Sequence, residues 1–174
     1  MAGLPVRSSV GIALAFAVGA CRSAPPPPSC PTSYVQDEGR TAKVLALLRG
    51  DPEARDLVDA PGPRAICWSP QAEGLVTSDG VLLLSSKESE RDVAARAAHL
   101  LLHAREGTDP AVGASVCDEV GLGRIRGAEE RAWALEGRVR GRLGLSERPS
   151  EAERVVAEYR SGCSANFSSD GGIP

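Results

Sequence analysis

Val81-Leu82-Leu83-Leu84-Ser85-Ser86, and shortly after it Ser89-Glu90-Arg91-Asp92-Val93-Ala94-Ala95-Arg96-Ala97-Ala98-His99-Leu100-Leu101-Leu102-His103-Ala104-Arg105-Glu106, decide how this chain is read. A short apolar run closed by serines reads as a buried strand. The second stretch reads as a helix. Ser89 and Asp92 are spaced like a capping box with Asp in place of Glu, and Gly107 and Pro110 end the pattern. On a helical wheel Asp92, Arg96, His99, His103 and Glu106 share one face. Val93, Ala94, Ala97, Leu100, Leu101 and Ala104 lie opposite, with Ala98 and Leu102 on the flank. The two histidines are the only ones in the chain. Four positions apart, they sit one turn apart on one face, a spacing that can bring two imidazoles to one zinc ion. The same face also fits a solvated helix or a satisfied structural pair.

Upstream, Ala42 to Leu48 suggest a first helix ending at Gly50. Asp51, Pro52 and Glu53 read as an N-cap, a proline at the first helical position and an acidic first turn, opening a second helix to about Asp59. Pro61-Gly62-Pro63 stop it. Ala65 to Trp68 read as a strand. Gly74–Thr77 and Val81–Leu84 flank Ser78-Asp79-Gly80, a hairpin signal. Downstream, Val112–Val120 suggest a shorter helix or turn, and Glu129–Leu143 a long helix ended by Gly144. Ser150 and Glu153 form a capping box for a last helix from Glu151 to about Arg160. The expected fold class is α+β and predominantly helical, a small β-hairpin preceding a helical core. Residues 34–163 form one domain, and residues 164–174 read as a flexible tail.

Arg7 is the sole charge before residue 22, and Val10 to Ala20 run apolar or small. That is a signal-peptide core, too short for a permanent membrane span. It ends Val18-Gly19-Ala20-Cys21, which resembles the bacterial lipobox. The resemblance implies cleavage of residues 1–20 and acylation of Cys21, with ordinary secretion as the plain alternative. Residues 21–33 then form a lipid anchor and a tether stiffened by Pro25–Pro28 and Pro31. Beyond Cys21 stand Cys30, Cys67, Cys117 and Cys163, an even count that reads as two disulfides in an exported chain. Three pairings are open; the preferred one joins Cys30 to Cys67 and Cys117 to Cys163, because each bond staples its own half.

The strand leading into a His-bearing helix resembles the layout of zincin metallopeptidases over residues 81–143. In those enzymes the helix carries a His-Glu-x-x-His motif. The resemblance implies zinc as cofactor, with His99 and His103 as ligands and a third ligand from a downstream helix. Glu129 is the better candidate there, bordering the stripe of Ala128, Ala132, Leu135, Val139 and Leu143, and Glu136 is its substitute. Glu130 points away. Glutamates beside a core stripe also commonly pair with basic groups, and Arg96, Arg138 and Arg140 are at hand. Asp92 and Glu106 share the His face, but seven helical positions span about 10.5 Å, beyond one ion's reach. The departure is Leu100, where the family has its general base. Leucine takes no proton from water, and losing such a base typically lowers rates about 100-fold to 10,000-fold. Trp68 and Trp133 read as packing residues.

The chain has 174 residues, 42% apolar and 3% aromatic, with a formal net charge of -3. That length buries a core without help from metals. So few aromatics argue against stacking on single strands, and an acidic balance without a basic tract argues against a nucleic-acid partner. The combined expectation is a cell-envelope protein held through lipidated Cys21 on a membrane, the outer membrane facing the periplasm or the cell surface. Its zincin-like scaffold acts as a structural or binding module for an envelope protein or peptide. The alternative is a zinc metallopeptidase with an atypical base; the missing glutamate leans the reading away from an enzyme.

Overall fold

The structure, a computed structural model, describes residues 29–59, 65–72, 74–77, 80–106 and 117–168, with 164–168 by backbone alone. The leader, Cys21, Pro25–Pro28, the Pro61–Pro63 turn and residues 112–116 and 169–174 lie outside the described residues. Helices α1 (Glu38–Leu48) and α2 (Pro52–Asp59) come first. Asp37 opens α1 by accepting from the Arg40 N–H at 2.8 Å. Asp51 Oδ1 opens α2, accepting from the N–H groups of Glu53 and Ala54, each at 3.1 Å. This satisfies donors that a helix start leaves orphaned.

Three strands follow: β1 (Ala65–Ser69), β2 (Leu75–Val76) and β3 (Val81–Ser85). Their order is β1-β3-β2, with β3 parallel to β1 and antiparallel to β2. The expected hairpin is therefore present between β2 and β3. Its turn is closed by Gly80 N–H donating to the Thr77 carbonyl at 2.9 Å, with Gly80 at a φ of +80° that glycine adopts freely. Ser78 and Asp79 lie outside the described residues. Every residue of β3 is buried because both faces of the sheet are covered. Leu82 and Leu84 join the main core, while Val81, Leu83 and Cys67 pack with Cys30 and Tyr34.

Helix α3 (Glu90–Glu106) runs through the middle of the fold. From Val93 to His103 only Arg96 is not buried. Its alanines at 94, 95, 97 and 98 are all buried, keeping the helix thin enough to be packed from several sides. Residues of α1, α2, the sheet and α4 (Glu119–Arg142) share one core with it. The cap is a variant of the expected box. Ser89 Oγ accepts from the Asp92 N–H at 3.2 Å and donates to Asp92 Oδ2 at 2.7 Å.

Two boundaries differ from the sequence expectation. Helix α4 starts at Glu119, not Glu129, so Val120 belongs to it and not to a separate element. Asp118 caps it, accepting from the Gly121 N–H at 2.6 Å. Helix α5 (Ala152–Ser168) continues past Arg160 through Ser161 and Gly162. Ser150 Oγ accepts from the Ala152 N–H at 3.3 Å, but Glu153 turns out to Arg126 at 2.7 Å and does not close the box. Both disulfides form in the preferred pairing, Cys30–Cys67 and Cys117–Cys163. Among the described residues no helix is long and apolar enough to cross a membrane.

Candidate metal centre

Helices α3 and α4 pack antiparallel, and polar pairs bridge them. Asp92 meets Arg140 at 3.3 Å, Arg96 meets Glu136 at 3.7 Å, His103 meets Glu129 at 3.3 Å, and Glu106 meets Arg131 at 2.7 Å. The acids that share the His face, Asp92 and Glu106, are thus engaged by arginines at either end. The middle of the interface holds the two histidines.

His99 and His103 are each 5% exposed and Glu129 is 7% exposed. The face that also fitted a solvated helix is therefore buried against α4. His99 Nε2 and His103 Nε2 lie 3.1 Å apart. Glu129 reaches both, Oε2 at 3.6 Å from His99 Nε2 and Oε1 at 3.3 Å from His103 Nε2. Zinc with bonds of about 2.0–2.1 Å in tetrahedral geometry separates neighbouring ligand atoms by roughly 3.3 Å. The two nitrogens are close to that spacing, and each Glu129 oxygen lies close to it from one imidazole. His99, His103 and Glu129 form a buried cluster compatible with a metal ion, and two nitrogens with one carboxylate oxygen suit zinc.

Charge points the same way. Arg140 faces Asp92 and Arg96 faces Glu136, while the ion-pair partners of Glu129 among the described residues are two imidazoles. A buried carboxylate needs a positive partner, either a protonated imidazole or a cation. Burial works against charge on His99, but Glu129 and Glu136 beside it outweigh burial and hold its imidazole above the usual value. Burial likewise opposes charge on Glu129. His103 and His99 outweigh it and hold that carboxyl down at about 2. Burial also raises the Glu136 carboxyl, and His99 and Arg96 bring it below its ordinary value.

Glu136 stands elsewhere than Glu129. It is fully buried, and its Oε2 lies 3.4 Å from the other ring nitrogen of His99, Nδ1. It faces the edge of His99 that points away from His103 and Glu129. Trp133 meets the His99 ring edge-on at 4.9 Å, and the Arg96 guanidinium lies over the Trp133 ring at 5.2 Å. Trp133 is thus a packing residue, as the sequence suggests, and the group it packs against is a candidate ligand. The signal for this arrangement was present in the spacing. Glu129, Trp133 and Glu136 recur on one face of α4, and an antiparallel neighbour places them beside His103, His99 and Arg96 in that order.

Leu100 is 8% exposed and belongs to the main core. Its side chain lies near Gly74, where a Cβ would stand 3.6 Å from Leu100 Cδ1. Leu100 therefore serves packing. Compared with known proteins, the chain matches no family model, and no curated protein or solved structure matches it.

Proposed function

We propose that this chain is an exported, lipid-anchored cell-envelope protein whose folded part is a non-catalytic, zincin-like metal-holding scaffold. The observation that carries the reading is the convergence of His99, His103 and Glu129, with ligand spacings of 3.1–3.6 Å, beside an apolar Leu100. His99, His103 and Glu129 would hold zinc, and its contribution would be to answer the Glu129 charge and tie α3 to α4. Metal-binding free energy adds directly to folding free energy when the unfolded chain has no site. Two disulfides suit an oxidising compartment, and the leader ending in Cys21 supports export with a lipid anchor. The role that follows is a structural or binding module for an envelope protein or peptide.

One observation favours a zinc peptidase. Three protein ligands, not four, are the number catalytic zinc sites use. Against it, Leu100 offers no proton acceptor, and Asp92 and Glu106 are held by Arg140 and Arg131. The test is thermal unfolding of the purified protein with and without zinc, beside a generic peptidase assay. The scaffold reading expects zinc to raise the midpoint, chelation to reverse it, and no zinc-dependent hydrolysis. Hydrolysis lost on chelation and in His103→Ala would establish the enzyme instead.

A further inference from the structure

Glu136 is the most deeply buried charged side chain in the described fold, and both its carboxylate oxygens lack a completed hydrogen bond. The same holds for His99 Nδ1, the atom it faces at 3.4 Å. On its other side Arg96 approaches to 3.7 Å. Three unsatisfied polar atoms gathered in a core are costly unless a small closure completes their bonding. The distance is only a few tenths of an ångström longer than an ordinary N–H···O bond.

We infer that Glu136 is a positioning residue. It accepts the Nδ1–H of His99, which fixes the tautomer whose Nε2 lone pair faces His103 and Glu129. Arg96 holds the Glu136 carboxylate in place through its positive charge and is itself held over Trp133. Such a carboxylate behind a metal-ligating histidine orients the ring and raises its strength as a ligand, and its loss typically lowers metal affinity about 10-fold to 100-fold. Glu136 is therefore not interchangeable with Glu129: on the Nδ1 edge it cannot share an ion that His99 holds through Nε2. Its burial serves the ligand.

This inference rests on the metal reading above, and the test separates the two. Zinc affinity of the purified protein is measured by chelator competition for the native chain and for Glu136→Gln, which keeps the shape. Folding of both is checked by circular dichroism. Nitrogen-15 spectra of the zinc-loaded histidines report which nitrogen of each ring carries hydrogen. The expected result is Nδ1–H on His99 in the native protein, with affinity lowered about 10-fold or more in folded Glu136→Gln. Native protein that holds zinc, with affinity in Glu136→Gln within about twofold of it, overturns the positioning role and leaves the metal site standing. Hydrogen on His99 Nε2 also overturns it, because the ion would then sit at Nδ1 with Glu136 as a ligand. Native protein that holds no zinc overturns the metal reading itself. A merely structural Glu136 would change stability without lowering zinc affinity.

Discussion

His99 Nε2 faces His103 Nε2 at 3.1 Å inside the α3–α4 interface, with Glu129 against both. Two imidazole nitrogens that close, next to a buried carboxylate, call for a hydrogen on one of them or a cation between them.

The pH dependence of stability should therefore change shape with zinc. In metal-free protein the His99 imidazole is held above its ordinary 6.5, so its contribution is full below that value and is lost as pH rises through the raised one. Glu129 is held at about 2 against an ordinary 4.5, and its contribution is full above 4.5 and lost as pH falls towards 2. Stability in chelator should peak between roughly pH 4.5 and 6.5. Zinc needs both imidazoles unprotonated, so its stabilisation should grow as pH rises above 6.5. Melting curves across pH with chelator or zinc check this; parallel curves would contradict it.

Trp133 should report the site. It lies 4.9 Å from the His99 ring, whereas Trp68 donates to Thr41 Oγ1 at 3.0 Å and is stacked under Arg40. Cobalt or nickel bound at the centre should quench the Trp133 part of the emission. The quenching should vanish in Trp133→Phe and persist in Trp68→Phe.

Leu100→Glu restores the zincin motif on paper. Leu100 is packed in the core near Gly74, so a carboxylate there loses apolar packing and competes with Glu136 for Arg96. The substitution should destabilise the protein by about 2 kcal/mol or more and confer no peptidase activity. Denaturant unfolding reads the first and a peptide-cleavage assay the second; an unchanged midpoint would place Leu100 outside the core.

The fold was largely legible in the sequence where local chemistry agreed with packing. The α2 cap at Asp51, the hairpin around Gly80 and both cysteine pairs are as the residues suggest. The start of α4 was hidden because Gly121, Gly123 and Gly127 are poor helix formers, and tertiary packing overrides that propensity here. The same applies to α5 beyond Ser161 and Gly162. His99 and His103 were legible as a pair from helical spacing, whereas Glu129 came only with the zincin resemblance, with Glu136 as its substitute. Their burial was not legible, because a helix wheel shows which residues share a face and is silent on what covers it. The separate station of Glu136 on His99 Nδ1 depends on the register of α3 against α4, which no local pattern encodes.

Each disulfide should hold its half firmly. Cys30–Cys67 closes a separation of 37 residues and Cys117–Cys163 one of 46, loops whose restriction in the unfolded chain corresponds to about 4 kcal/mol each. Replacing Cys117 and Cys163 together with serine should lower unfolding free energy by about 2–4 kcal/mol, measured by denaturant titration. Cys21→Ser, by contrast, should leave unfolding unchanged and release the protein from membranes on fractionation.

The central claim is tested most directly by the zinc content of the purified full-length protein, measured by atomic emission beside His99→Ala/His103→Ala. The account expects one zinc per chain in the native protein and none in the double variant. Native protein free of zinc after loading, or zinc retained by the double variant, would contradict it.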